Sequence, residues 1–110
     1  MKFLQVNYEC EYASTDPGHR ERNESAAHNI KNVPGLLWKI WGYDDAAGQA
    51  AGLYLFADTA SAEAWGEGPM RGSLGAMPGV SGITVRYFDV EESLSAITRG
   101  PLTGHGAMDR

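Results

Sequence analysis

The chain has 110 residues, a formal charge of −5 and 43% hydrophobic residues, which bounds it to one ordinary globular domain. An acidic balance without a basic run excludes general attraction to nucleic-acid backbones, and no apolar stretch is long enough to cross a membrane as a helix. The single cysteine, Cys10, leaves no internal disulfide, and the opening Met1-Lys2-Phe3-Leu4-Gln5 turns polar too early for a signal peptide, so a cytoplasmic protein is expected.

Residues Lys2 to Tyr8 alternate Phe3, Gln5 and Asn7 against Leu4, Val6 and Tyr8. This is the period of a strand with one apolar face and one face carrying two amides. Asp16 and Pro17 then supply the N-cap and first position of a polar helix predicted to run to about Asn32. At about 100° per residue, His19, Asn23, Ala26, Ile30 and Val33 share one face and His28 lies opposite. His19 is therefore the histidine expected to look inward. No second histidine stands at ligand spacing with it, and no metal site is expected.

The stretch Pro34-Gly35-Leu36-Leu37-Trp38-Lys39-Ile40-Trp41 joins a turn signal to two of the three tryptophans. Pro fixes φ and Gly tolerates the turn, so an extended segment comes next. Alternation places Leu36, Trp38 and Ile40 on one face and Leu37, Lys39 and Trp41 on the other, and both faces need cover. Tyr43 to Gln49 reads as a turn, and Ala50 to Ala57 as the second hairpin arm, with Leu53 and Leu55 opposite Gly52, Tyr54 and Phe56. Asp58 or Thr59 caps a second helix whose inward side holds Ala62 and Trp65. Gly66, Gly68, Pro69, Gly72 and Gly75 each cost about 1 kcal/mol or more in a helix interior, so a break is predicted near Gly68-Pro69. The glycine-rich segment is either a connector or a flap over a pocket. Val80 to Val90 is the last strand, alternating Ile83, Val85 and Tyr87 with Thr84, Arg86 and Phe88, and Glu91 to Thr98 makes a short helix. The single domain ends at residue 99, and 100–110 is expected to be a flexible tail unless a partner subunit holds it.

The order β-α-β-β-α-β is that of an α+β, ferredoxin-like unit with an antiparallel sheet and helices on one face. The second sheet face carries bulky residues and needs cover, for which a second copy of the chain is the economical source. A homodimer is expected.

Four segments carry a family resemblance: Pro34 to Trp41, Gly52-Leu53-Tyr54-Leu55-Phe56-Ala57-Asp58, Ser61-Ala62-Glu63-Ala64-Trp65, and Phe88 to Ile97. Together they resemble the YdhR-type proposed monooxygenases of the dimeric α+β barrel superfamily, from about residue 2 to residue 102. The resemblance implies a pocket between sheet and helices in each subunit, with the other sheet face forming a barrel between two subunits. It also implies a small aromatic or quinol-like substrate that reacts with O₂ itself, with no cofactor.

The face bearing Gln5, Asn7, Thr84 and Arg86 is expected to line the pocket, because a packed dimer core would leave these groups short of partners. Leu4, Val6, Leu53, Leu55, Ile83 and Val85 would then build the barrel. By analogy with related cofactor-free oxygenases, Trp65 and Asn7 are catalytic candidates, and the charge of Arg86 adds it as a third. Trp65 would stack on a planar substrate, and Asn7 or Arg86 would stabilise an oxyanion. Gln5, His19, Trp38, Trp41 and Tyr54 complete the expected pocket, although parity allows only one of Trp38 and Trp41 to face it. His19 or Tyr54 could serve as the base; each also has an ordinary packing role open to it. The alternative is a non-enzymatic small-ligand-binding dimer, favoured by the lack of a clear acid–base pair. Haem binding or degradation ranks third, since Gly66 to Met77 contains no histidine. An isomerase or decarboxylase also remains open, because fold does not fix function.

Overall fold

The alternating segments form four strands in a computed structural model that describes residues 1–102. Residues 103–110, most of the expected tail, lie outside the described residues. In chain order the elements are β1 (Lys2–Cys10), α1 (Pro17–Ile30), β2 (Leu36–Asp44), β3 (Gln49–Phe56), α2 (Thr59–Gly66), α3 (Pro69–Gly75), β4 (Val80–Asp89) and α4 (Glu92–Ile97). The strands make one antiparallel sheet in the order β2-β3-β1-β4. With helices packed on one face, this is the ferredoxin-like arrangement. Among the described residues no helix is long and apolar enough to cross a membrane.

Local chemistry sets the boundaries. The Asp16 carboxylate accepts from the His19 amide at 2.9 Å and opens α1, with Pro17 behind it; Asp58 caps α2 through the Ser61 amide at 2.7 Å. The second helix breaks where predicted, with α3 restarting at Pro69. Gly35 enters β2 with φ +81°, and its carbonyl accepts from the Ala57 amide at 2.8 Å. A Cβ there would run into Ser61 at the start of α2, so this turn requires glycine.

The sheet faces are the reverse of the expectation. Leu4 and Val6 are 0% and 1% exposed and pack with Tyr54, Phe56, Ala62 and Met70 beneath the helices, joined by Ile83, Val85 and Tyr87. Cross-strand partners share a face. Gln5 pairs with Leu53 and Arg86, and Asn7 with Ala51 and Thr84, so the amides and Arg86 lie on the face away from the helices. The apolar set proposed for the barrel is split: Leu53 and Leu55 stand on that open face, where Leu55 is nonetheless 2% exposed, opposite Leu4, Val6, Ile83 and Val85. The physical reason is burial. Each fully covered aliphatic or aromatic side chain contributes about 1.5–3 kcal/mol, while the Gln5 amide donates to the Asn7 side-chain carbonyl oxygen at 2.8 Å on an exposed surface without needing a pocket.

A bulge corrects the reading of β2. Leu36 pairs with Phe56 and Trp38 with Leu55, leaving Leu37 as the extra residue. Leu36 thus packs on the helix-side core, not beside Trp38 and Ile40. Lys39, Trp41 and Tyr43 pair with Tyr54, Gly52 and Ala50 and face the helices.

Candidate functional site

Helix α1 is polar and touches the sheet sparingly. The space it leaves above β1, β2 and β3, closed at one end by α2 and α3, is a cavity of about 170 Å³. That is below the roughly 300–1,000 Å³ of drug-sized ligand sites, and it fits a compound of one or two rings. Its floor is Val6, Tyr8, Lys39, Trp41, Gly52 and Tyr54; α1 contributes Asn23, Ala26, Asn29 and Ile30, α2 Trp65, and α3 Met70, Ser73 and Leu74. Among the described residues no carboxylate lines it.

Three aromatic rings set its character. Trp65 and Tyr54 lie with centroids 6.2 Å apart and planes tilted by 55°, and the buried Trp65 indole N–H, which makes no regular hydrogen bond among the described residues, lies near enough to the Tyr54 hydroxyl to oppose the rise in its pKa. Trp41 carries the Lys39 ammonium position on its face, Nζ standing 3.4 Å from the ring centroid and 4.7 Å from that of Tyr54. Such contacts favour a cation, but burial works against it, and desolvation pulls the Lys39 pKa down to about 7. Burial acts oppositely on the phenols, raising Tyr54 to about 12 and Tyr8 further still, with Tyr43 and Cys10 adding to the effect on Tyr8. Both remain neutral hydrogen-bonding groups across the neutral range.

Of the expected site residues, the structure brings Trp41, Tyr54 and Trp65 together around this cavity. Trp38 faces away from it, lines an adjoining groove with Leu36 and Leu37, and donates its indole N–H to the Pro101 carbonyl at 2.7 Å. Gln5, Asn7 and Arg86 stand on the opposite sheet face, where Arg86 lies 5.4 Å from the Phe88 ring centroid. They do not share a site with Trp65. His19 is 1% exposed, stacked on Tyr12 outside the cavity lining. Its Nε2 lies 3.0 Å from the Asn23 amide nitrogen and 3.3 Å from the Tyr43 hydroxyl, and Asn23 donates to that hydroxyl at 2.6 Å. Desolvation first, then Arg22, lowers the His19 pKa, with Asp16 opposing. His19 therefore acts here as a buried neighbour of Asn23, and it is Asn23 that reaches the cavity.

Lys39 is the group that sequence reasoning passed over. Its signal was present in parity, since it shares a face with Trp41, but a lysine in a strand reads as solvent-facing until the strand across from it is known.

The fold recurs in solved structures of differing chemistry. One is MhuD, the haem degrader of Mycobacterium tuberculosis, with two haems bound in its active site (19% identity, TM-score 0.58, 81% of this chain and 95% of that one). Another is a mutant of SnoaB, a cofactor-independent oxygenase from Streptomyces nogalater (12%, 0.61, 84% and 96%). A third is the hydroxynitrile lyase of Passiflora edulis (14%, 0.57, 83% and 94%). At these identities the likeness is one of fold. No curated protein matches the chain. A family model, described as "Putative mono-oxygenase ydhR", matches residues 3–101, and with nearly all of the described chain inside that match, this protein is a member of the ydhR family.

Proposed function

We propose that the protein is a cofactor-independent monooxygenase that acts on a small phenolic, naphthol-like or quinol-like compound in the cavity beneath α1. The observation that carries this reading is the cavity wall itself: Trp41, Tyr54 and Trp65 surround a space sized for one or two rings, with Lys39 as the single basic group in its lining among the described residues. An electron-rich aromatic anion can react with O₂ directly once it is oriented and stripped of water. Apolar walls supply the desolvation, and Trp65 supplies a stacking face. The family match and the cofactor-independent oxygenase among the structural neighbours support the same reading.

Haem fits this cavity poorly. Among the described residues His19 packs outside the lining and His28 is exposed on α1, so no histidine is placed to meet an iron there.

The test is oxygen uptake by purified, metal-free protein with a panel of phenols, naphthols and quinols, without flavin, haem or nicotinamide. Protein-dependent uptake that is strongly reduced in Trp65→Phe supports the proposal. Ring compounds that quench indole fluorescence while no oxygen is consumed would instead make this a ligand-binding protein.

A further inference from the structure

Within the cavity, Lys39 occupies a position that no ion pair among the described residues accounts for. It lies flat over β3, its Cε beside Gly52, where even a Cβ would approach to 3.1 Å. Its Nζ rests on the faces of Trp41 and Tyr54 at 3.4 and 4.7 Å. Each of the ion pairs among the described residues engages another cation, so no carboxylate holds it. The groups that face it are neutral: Tyr8 from β1, Tyr54 from β3, Asn23 and Asn29 from α1, Trp65 from α2 and Ser73 from α3. Lys31 lines the adjoining groove, which adds a further positive charge and no negative one.

We propose that Lys39 is the base that takes the hydroxyl proton of a phenolic or enolic substrate, and that the ammonium so formed stays beside the resulting anion as its counter-ion. This rests on the oxygenase reading and deepens it, since it specifies a substrate with an ionisable hydroxyl. The step conserves charge: a neutral amine and a neutral hydroxyl compound become an ammonium and an oxyanion, with the O–H bond broken and an N–H bond formed. Desolvation, which brings the amine's pKa to about 7, keeps a useful fraction of the free base at neutral pH. The product pair suits the site better than either ion alone, because each ion offsets part of the other's burial penalty. Trp41 and Tyr54 hold the ammonium through their ring faces and leave its N–H groups free for the substrate oxygen.

The step can be observed without turnover. The probe is 4-nitrophenol, whose anion absorbs visible light and whose neutral form does not, mixed with the protein below the probe's own pKa while indole quenching reports binding. The expected result is an anion band in the wild-type complex that is lost in Lys39→Met, with quenching retained in both. A wild-type complex that binds the probe in its neutral form overturns the proposal and leaves the cavity assignment standing, as does an anion band that survives in Lys39→Met. Absence of quenching in both proteins overturns the cavity assignment as well.

Discussion

Gly66 of α2 lies directly against the phenol of Tyr87 in β4: a Cβ on Gly66 would stand 3.1 Å from the tyrosine Cζ and closer still to its hydroxyl. That hydroxyl donates to the Glu67 carboxylate, which also accepts from the Arg71 guanidinium at 3.1 Å. The end of α2, the start of α3 and the edge strand of the sheet are thus fastened at one point beside the cavity. Burial and the Glu67 charge both raise the Tyr87 pKa, and the two hydrogen bonds lower that of Glu67.

Replacing Gly66 with Ala should therefore destabilise the fold by about 1–3 kcal/mol through overpacking, measured by urea unfolding. In a Tyr87→Phe background the hydroxyl is gone and part of that loss should disappear. Equal penalties in the two backgrounds would mean that the methyl meets something other than the hydroxyl.

Lys39 should give stability a pH dependence of unusual sign. Below its folded value of about 7 the amine is charged in both states and contributes no slope; above that, the unfolded chain, with its lysine near the ordinary 10.5, holds a proton that the folded chain has released. Stability should accordingly rise between about pH 7 and pH 9, by up to about 1.4 kcal/mol per unit for one proton. Toward pH 10 three tyrosines act in the opposite direction, since folded Tyr8, Tyr54 and Tyr87 keep protons that unfolded phenols lose. Urea unfolding of wild type and Lys39→Met across this range isolates the lysine, and parallel curves would contradict the depressed pKa.

The open sheet face makes a contrasting pair of substitutions informative. Ile40 is 51% exposed and sits across from Leu53, whereas Val85 packs against the helix-side core. If that face joins two copies of the chain, Ile40→Asp should yield a folded monomer by sedimentation, and Val85→Asp should fail to fold because it buries an unpaired charge. A dimeric Ile40→Asp protein would place the contact elsewhere.

Trp38→Phe removes the hydrogen bond to the Pro101 carbonyl and keeps most of the ring. A bond worth about 1 kcal/mol implies a roughly fivefold increase in transient opening of this segment. Tryptic cleavage after Arg99 should accelerate by that factor, and an unchanged rate would show that the indole does not restrain it.

Boundaries were legible in the sequence because they depend on residues adjacent in the chain. Asp16 with Pro17, Asp58, and Gly68 with Pro69 act on backbone groups within a turn of themselves. The β-α-β-β-α-β order came from those signals and from alternation. The apolar face of β1 was legible, but that it turns toward the helices was not, because the deciding partners, Ala62 and Met70, belong to distant helices. Gln5 and Asn7 misled for a related reason: each was assumed to need a polar pocket, when the partner of each was the other. Lys39 became visible as a site residue only once Tyr54 and Gly52 were placed beside it. The inward side of Trp65 was legible from helix position and its candidacy from the family resemblance, and it is the catalytic candidate that lines the cavity.

The extra residue at Leu37 has a consequence for how this protein can vary. Downstream of it, β2 is read two surfaces at a time, Lys39, Trp41 and Tyr43 toward the cavity and Trp38 and Ile40 toward the open face. Losing any one residue between Trp38 and Tyr43 would act like a frameshift, moving part of the cavity floor outward and part of the open face inward. Losing Leu37 would merely straighten the strand. The loss of one residue is therefore tolerated at the bulge, while everything after it is held in phase.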